Sequence, residues 1–325
     1  MNDKTLLTID VSHGTTHDGP GMRTTVFVKG CSLRCRWCQN PESIGARNEP
    51  WWDERACIGC LSCQSACPAG ALSFTEKGLS IDRSACRACL SCCEACPSEA
   101  LSPEAQRYTM DALMREVLRD RAYYEQFGGG VTCSGGEPLL QYEFLAEFFE
   151  RLHAENITAA LDTCGCAPQN NLEALLPVTD YLLYDMKIFD PEQHRAFTGQ
   201  DNALILSNLL RAADSMRHRG YPKKLWIRTP LIWDATATSE NIRAIGRFIS
   251  ENLSDVLERW EDVLERWEMC AFNGACVTKY DKLGLRWDYA GRGTMSRTQI
   301  EPLRLAALEN VSEDKLLVSG MIREK

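Results

Sequence analysis

With 325 residues, 44% of them hydrophobic, the chain can bury a large core, and its length suits one large domain or two smaller ones. A net charge of −9 argues against a nucleic-acid or anionic-membrane surface, which needs clustered Lys and Arg. No apolar run approaches the roughly 18 residues of a membrane span, and the opening MNDKTLLTIDVSHG lacks the basic-then-apolar layout of a secretory signal, so a soluble cytoplasmic protein is expected.

In chain order, TTVFVK at 24–29 reads as a buried strand bounded by Gly30. A cysteine-rich loop follows at once. Residues 50–104 then change character, holding nine cysteines and an internal repeat, CIGCLSCQSACP at 57–68 and CRACLSCCEACP at 86–97. They read as an inserted small domain, which leaves 1–49 and 105–325 for the main one. Beyond it, 109–127 and 141–155 read as helices. GVTCSG (130–135), TAALDT (158–163), YLLYDMKI (181–188), KLWIRTPLI (224–232) and MCAFNG (269–274) read as strands. Such alternation predicts an α/β fold of parallel βα units, with ligands at the carboxyl ends of the strands. The heptapeptide DVLERWE at 255–261 recurs unchanged at 262–268. Helical spacing would align Val256, Trp260, Val263 and Trp267 as the stripe of an amphipathic surface helix.

Seventeen cysteines dominate the chemistry. Their tight clustering in a long chain argues for metal ligation over a disulfide scaffold. Cys31, Cys35 and Cys38 have the spacing C-x3-C-x2-C, with Trp37 before the last. A complete iron–sulfur cubane takes four thiolates; three leave one iron open for a substrate, the logic that separates catalytic from structural sites. A zinc site or buried thiols is the alternative. In the insert, C-x2-C-x2-C-x3-C-P occurs twice. In two-cluster ferredoxins the fourth cysteine of each run serves the other cluster. Cys57, Cys60, Cys63 and Cys96 are therefore assigned to one cluster, and Cys86, Cys89, Cys92 and Cys67 to the other, with two zinc knuckles as the alternative. Cys93, Cys133, Cys164, Cys166, Cys270 and Cys276 are left as buried apolar thiols.

The three-cysteine loop with its aromatic residue is similar to that of the radical S-adenosylmethionine superfamily. The words around it narrow the likeness. His17-Asp18-Gly19-Pro20-Gly21-Met22-Arg23-Thr24-Thr25-Val26-Phe27, then Lys29-Gly30-Cys31, and Cys38-Gln39-Asn40-Pro41-Glu42-Ser43 closely resemble the glycyl-radical-enzyme activases. That resemblance, which covers nearly the whole chain, implies a partial (β/α)6 barrel with an inserted bacterial-ferredoxin-like domain. It also implies roles. Gly135-Gly136-Glu137-Pro138 would meet the amino group of the methionine moiety, the glycines by close backbone approach and the carboxylate by pairing with the ammonium. Asp162-Thr163 would help hold a monovalent cation, Asp185 and Lys187 would contact the ribose, and Arg228 would face the cofactor carboxylate. Asp281 stands where many relatives carry a histidine, so an adenosine contact does not carry over there.

The implied reaction is one-electron reductive cleavage of S-adenosylmethionine at a four-iron cluster. It gives methionine and a 5′-deoxyadenosyl radical, which removes the α-hydrogen of a glycine in a partner enzyme. No side-chain acid or base is needed for the hydrogen abstraction, so no catalytic side chain is assigned. The implied cofactors are three four-iron clusters and S-adenosylmethionine. The implied partners are a glycyl radical enzyme and a low-potential donor such as flavodoxin or ferredoxin. Two rival readings remain: a radical maturase acting on another substrate, and a ferredoxin-like electron carrier.

Overall fold

The computed structural model describes residues 4–76, 78–258 and 266–324. The β-branched and aromatic runs form one sheet. Its strands are Thr5–Thr15 (β1), Arg23–Val28 (β2), Gln106–Thr109 (β3), Gly130–Gly135 (β4), Thr158–Thr163 (β5), Tyr181–Asp185 (β6), Lys224–Leu231 (β7), Arg266–Ala271 (β8) and Leu316–Ser319 (β9). The order across the sheet is β9-β8-β7-β6-β5-β4-β2-β1-β3. From β2 through β9 all neighbours are parallel. β1 runs antiparallel to both β2 and β3. The six expected strands are the parallel core, and short β9 extends it. β3 and β9 stand at opposite ends of the order, so the sheet is an open partial barrel among the described residues.

Helices cover the sheet because their apolar residues fall on one stripe. Tyr142–Ala154 buries Phe144, Leu145, Phe148, Phe149 and Leu152. These join Leu182, Leu209, Ile245 and Trp267 in the main core, each such side chain contributing about 1.5–3 kcal/mol. Buried Arg23 ties three strands at their amino ends: its guanidinium donates to Thr132 Oγ1 and the Val131 carbonyl, each at 2.7 Å, and to the Thr158 carbonyl at 3.1 Å.

Two expectations change. The helix expected over 109–127 is two helices, Met110–Leu118 and Arg121–Phe127. They part at Asp120, whose carboxylate is drawn toward the sheet by Thr24 and by His13 at 2.6 Å. The heptapeptide stripe does not form as one helix. Val256 lies on Ser239–Glu258, but Trp267 is a buried residue of β8, donating from Nε1 to Thr229 Oγ1 at 2.9 Å. Sheet pairing of Arg266–Ala271 with β7 overrides the helical spacing there. Trp260 and Val263 lie outside the described residues.

Between β2 and β3 the chain builds a small unit. Pro50–Trp52 pairs antiparallel with Leu101–Pro103, and Leu72–Thr75 with Gly78–Ile81. Each ferredoxin run contains a short helix, Ser62–Ala66 and Ser91–Glu94. No helix among the described residues is long and apolar enough to cross a membrane.

Candidate active site

The cysteine loop leaves β2 under tight backbone control. Gly30 N donates to the Ser43 carbonyl at 2.7 Å and Cys31 N to that of Ile44 at 3.2 Å. Arg34 N and Arg36 N donate to the carbonyls of Thr198 and Phe197 at 2.7 and 3.0 Å. Cys38 is pinned from the C-terminal side, where the Tyr280 hydroxyl donates to its carbonyl at 3.0 Å. Trp37 is buried against Phe197 with ring centroids 6.2 Å apart, and joins a second aromatic core with Phe272, Tyr280 and Trp287.

Cys31, Cys35 and Cys38 open on a cavity of about 370 Å³ at the carboxyl ends of the strands. Trp37, Gly135, Gly136, Asp162, Thr163, Asp185, Lys187 and Arg228 line it too. Sheet register explains the convergence, for Asp185 stands opposite Arg228 and Tyr184 opposite Thr163. The two glycines are required by close approach. A Cβ on Gly135 would lie 2.4 Å from Val28 N, and one on Gly136 2.2 Å from the Gly30 carbonyl oxygen.

The charges there form an acidic bowl around one arginine. Arg228 Nη1 lies 3.3 Å from Asp162 Oδ2 and 4.0 Å from Asp18 Oδ1, and its Nε 3.9 Å from Glu268 Oε2. Lys187 pairs with Asp185. Burial works against the Lys187 ammonium, yet Asp185 and the neighbouring Cys35 and Cys164 hold its pKa above the ordinary lysine value. Burial, aided by Asp185 and Asp18 and opposed by Arg228, pushes the Asp162 carboxyl up to about 6. Its Oδ2 accepts from Ser134 at 2.6 Å, while its buried Oδ1 has no hydrogen-bond partner among the described residues. Burial also pushes the Cys35 thiol up to about 12 and the Cys38 thiol higher still. Bare, these would stay protonated; a metal cluster is what holds buried thiolates.

Glu137 departs from expectation. It is fully buried and does not line the cavity. Its carboxylate accepts from Leu139 N, Thr163 Oγ1, Cys164 N and Cys164 Sγ at 3.0, 2.6, 2.9 and 2.8 Å. Its oxygens are thus already engaged inside the protein. Asp281 is exposed and does not line the cavity either.

Several cavity residues were not singled out from the sequence: Asp18, Ser134, Cys164 and Cys270. Asp18 lay within the quoted His17–Phe27 word. In sequence Cys164 and Cys270 read as apolar thiols, yet each stands at a strand end, where ligand contacts are expected.

In the insert, Cys57, Cys60, Cys63 and Cys96 surround one cavity, and Cys67, Cys86, Cys89 and Cys92 surround another. The fourth cysteine of each run thus crosses to the other group. All seventeen thiols are free. Among the described residues no three His, Cys, Asp or Glu side chains converge on a point that would hold a single ion. The cysteines of each group instead line a common cavity, as the ligands of a multi-iron core would.

Comparison with known proteins decides the family. The 4Fe-4S dicluster domain matches residues 49–97, and the Radical SAM superfamily matches residues 84–232. The indoleacetate decarboxylase activating enzyme of Tractidigestivibacter scatoligenes is 40% identical over 285 residues, 85% of each chain. The 4-hydroxyphenylacetate decarboxylase activating enzyme of Clostridioides difficile is 34% identical over 93% of this chain and 92% of its own. The chain belongs to the glycyl-radical-enzyme activating enzymes.

This activating enzyme is therefore a radical S-adenosylmethionine enzyme whose task is to place a radical on a partner enzyme. A radical SAM methyltransferase from Sphaerobacter thermophilus aligns over all of the activating enzyme and 75% of its own chain, with a TM-score of 0.50 at 14% identity, a likeness of fold alone.

Proposed function

We propose that the activating enzyme carries three four-iron clusters, binds S-adenosylmethionine in the 370 Å³ cavity, and installs a glycyl radical on a decarboxylase-, dehydratase- or lyase-type partner. The observation that carries this is the meeting of Cys31, Cys35 and Cys38 with Gly135, Gly136, Asp162, Asp185, Lys187 and Arg228 at one end of a parallel sheet.

The residues fit the cofactors. Three cavity-facing thiols suit a cluster with one open iron, which supplies the one-electron reduction of a sulfonium that no side chain can provide. Gly135 and Gly136 leave backbone free for the methionine ammonium. Arg228 is the cation available to a carboxylate, and the Asp185–Lys187 pair offers acceptor and donors to a ribose. The unpartnered buried Asp162 Oδ1, among further carboxylates, suits a monovalent cation. Trp37 and the packed aromatic residues behind it keep water from the cluster loop.

Residues 50–104 form the module for the other two clusters, one held by Cys57, Cys60, Cys63 and Cys96, the other by Cys67, Cys86, Cys89 and Cys92. A low-potential flavodoxin or ferredoxin would supply electrons through it. Iron and sulfide analysis with Mössbauer spectroscopy tests the count: about twelve irons per anaerobically reconstituted chain are expected. A reproducible value near four, with zinc present, would overturn it.

A further inference from the structure

The two ferredoxin runs are repeat equivalents, so differences between matched positions report their surroundings. Ile58 and Leu61 of the first run are 68% and 46% exposed. Their counterparts are a charged residue, Arg87, and the half-buried Leu90. The first run turns an apolar loop to solvent. The second is held from the main domain's side, where Arg47 donates to the Cys86 carbonyl.

Arg83, three residues before Cys86, sits at the centre of an ion array. Its Nη1 donates to Glu49 at 2.8 Å and to Glu104 at 2.9 Å, and its Nε to the Leu283 carbonyl at 3.3 Å. The other oxygen of Glu104 accepts from Lys29 at 2.7 Å. Lys29 also donates to the Glu42 carbonyl at 2.5 Å, and it immediately precedes Gly30-Cys31. Lys279 Nζ closes the array on Glu42 Oε1 at 2.6 Å. The Lys29 and Glu104 side chains are 1% and 5% exposed. Charges this deep are weak stabilisers, because desolvation offsets the attraction; their best-attested use is to fix one arrangement against others. Here the array joins the second run, the catalytic loop and the helix Val277–Lys282.

We propose that the Lys29–Glu104–Arg83 array and Arg47 form a joint that holds the Cys67/Cys86/Cys89/Cys92 cluster next to the catalytic cluster, making it the immediate electron donor, while the Ile58–Leu61 loop faces the external donor. The inference rests on the relay reading of the insert. In the step concerned, one electron would pass from the cluster held by Cys67, Cys86, Cys89 and Cys92 to the one held by Cys31, Cys35 and Cys38, the first being oxidised and the second reduced by one unit. No bond or proton moves, and a reduced low-potential protein donor replaces the electron. Arg83 and Arg47 are positioning residues.

The test uses the full chain, anaerobically reconstituted and checked for iron and sulfide. Freeze-quench EPR follows reduction of the catalytic cluster by reduced flavodoxin or, separately, by dithionite. Arg83→Gln and Arg47→Ala are expected to keep wild-type reduction by dithionite and to slow reduction by flavodoxin several-fold; Cys89→Ala should slow reduction by flavodoxin too. If Arg83→Gln loses iron, Arg47→Ala decides, since its half-exposed side chain can be removed without opening the core. Wild-type rates in both arginine variants, with Cys89→Ala slow, would overturn the joint and leave the relay standing. If Cys60→Ala is slow and Cys89→Ala is not, the proposed order of the clusters is wrong. If both cysteine variants match wild type, the relay reading itself fails.

Discussion

Thr163 donates its hydroxyl proton to Glu137 across 2.6 Å, so the end of one strand is bolted to the turn after its neighbour. Glu137→Ala would strip the acceptor from Thr163 and from the amides of Cys164 and Leu139, at about 1–3 kcal/mol for each buried group left unsatisfied. We expect a lowered melting temperature and impaired cluster assembly. Folded Glu137→Gln should bind S-adenosylmethionine within a few-fold of wild type by equilibrium dialysis, because the carboxylate does not line the cavity and its oxygens already accept from Thr163 and Cys164. A large loss of affinity would return Glu137 to the cofactor ammonium.

The two kinds of cluster should separate by mutation. Cys31→Ala, Cys35→Ala and Cys38→Ala each remove a thiolate of the reaction site and should abolish deoxyadenosine release with every reductant. Cys60→Ala and Cys89→Ala damage closed, fully ligated sites. They should keep some release with dithionite and lose more with a protein donor. Variants of the insert that bind S-adenosylmethionine normally yet are dead with every reductant would rule out a simple relay.

Much of this was legible in the sequence. The six core strands are β-branched or aromatic runs, and sheet neighbours confirm their reading at each carboxyl end. The ferredoxin runs show because ligand spacing is rigid. What stayed hidden depends on tertiary partners. β1 contains polar Asp10, Ser12 and His13 and is ordered by pairing on both sides. That Thr163 and Cys164 donate to the Glu137 oxygens is not visible in the local sequence. Trp267 looked helical because an exact heptapeptide repeat has helical spacing whatever the sheet does with its last residues.

Tyr280 anchors the catalytic loop through the Cys38 carbonyl. Tyr280→Phe removes a hydrogen bond of about 1 kcal/mol and leaves the ring stacked on Trp287, 5.6 Å between centroids. The variant should lose catalytic-cluster iron to a chelator faster than wild type under anaerobic conditions, with the insert clusters unaffected. Equal release rates would remove the anchoring role.

Asp162 gives a pH dependence. Its carboxyl is raised to about 6, first by burial, so the folded protein holds its proton more tightly than the unfolded chain. Its contribution to stability is therefore greatest below the ordinary carboxylate range and falls as pH rises through about 6. Cation and cofactor binding run the other way, since they need the ionised form. Affinity for S-adenosylmethionine should drop as pH falls through about 6, and Asp162→Asn should bind weakly with no such step. An unchanged step in the variant would assign it to another group.

Radical installation on a partner can be observed directly. The direct measurement is EPR of the reconstituted activating enzyme mixed anaerobically with S-adenosylmethionine, reductant and a candidate glycyl radical enzyme, with deoxyadenosine counted in parallel. We expect a stable glycyl radical signal on the partner, with deoxyadenosine formed in step. Cleavage of S-adenosylmethionine without a glycyl radical on any glycyl radical enzyme offered would contradict the account.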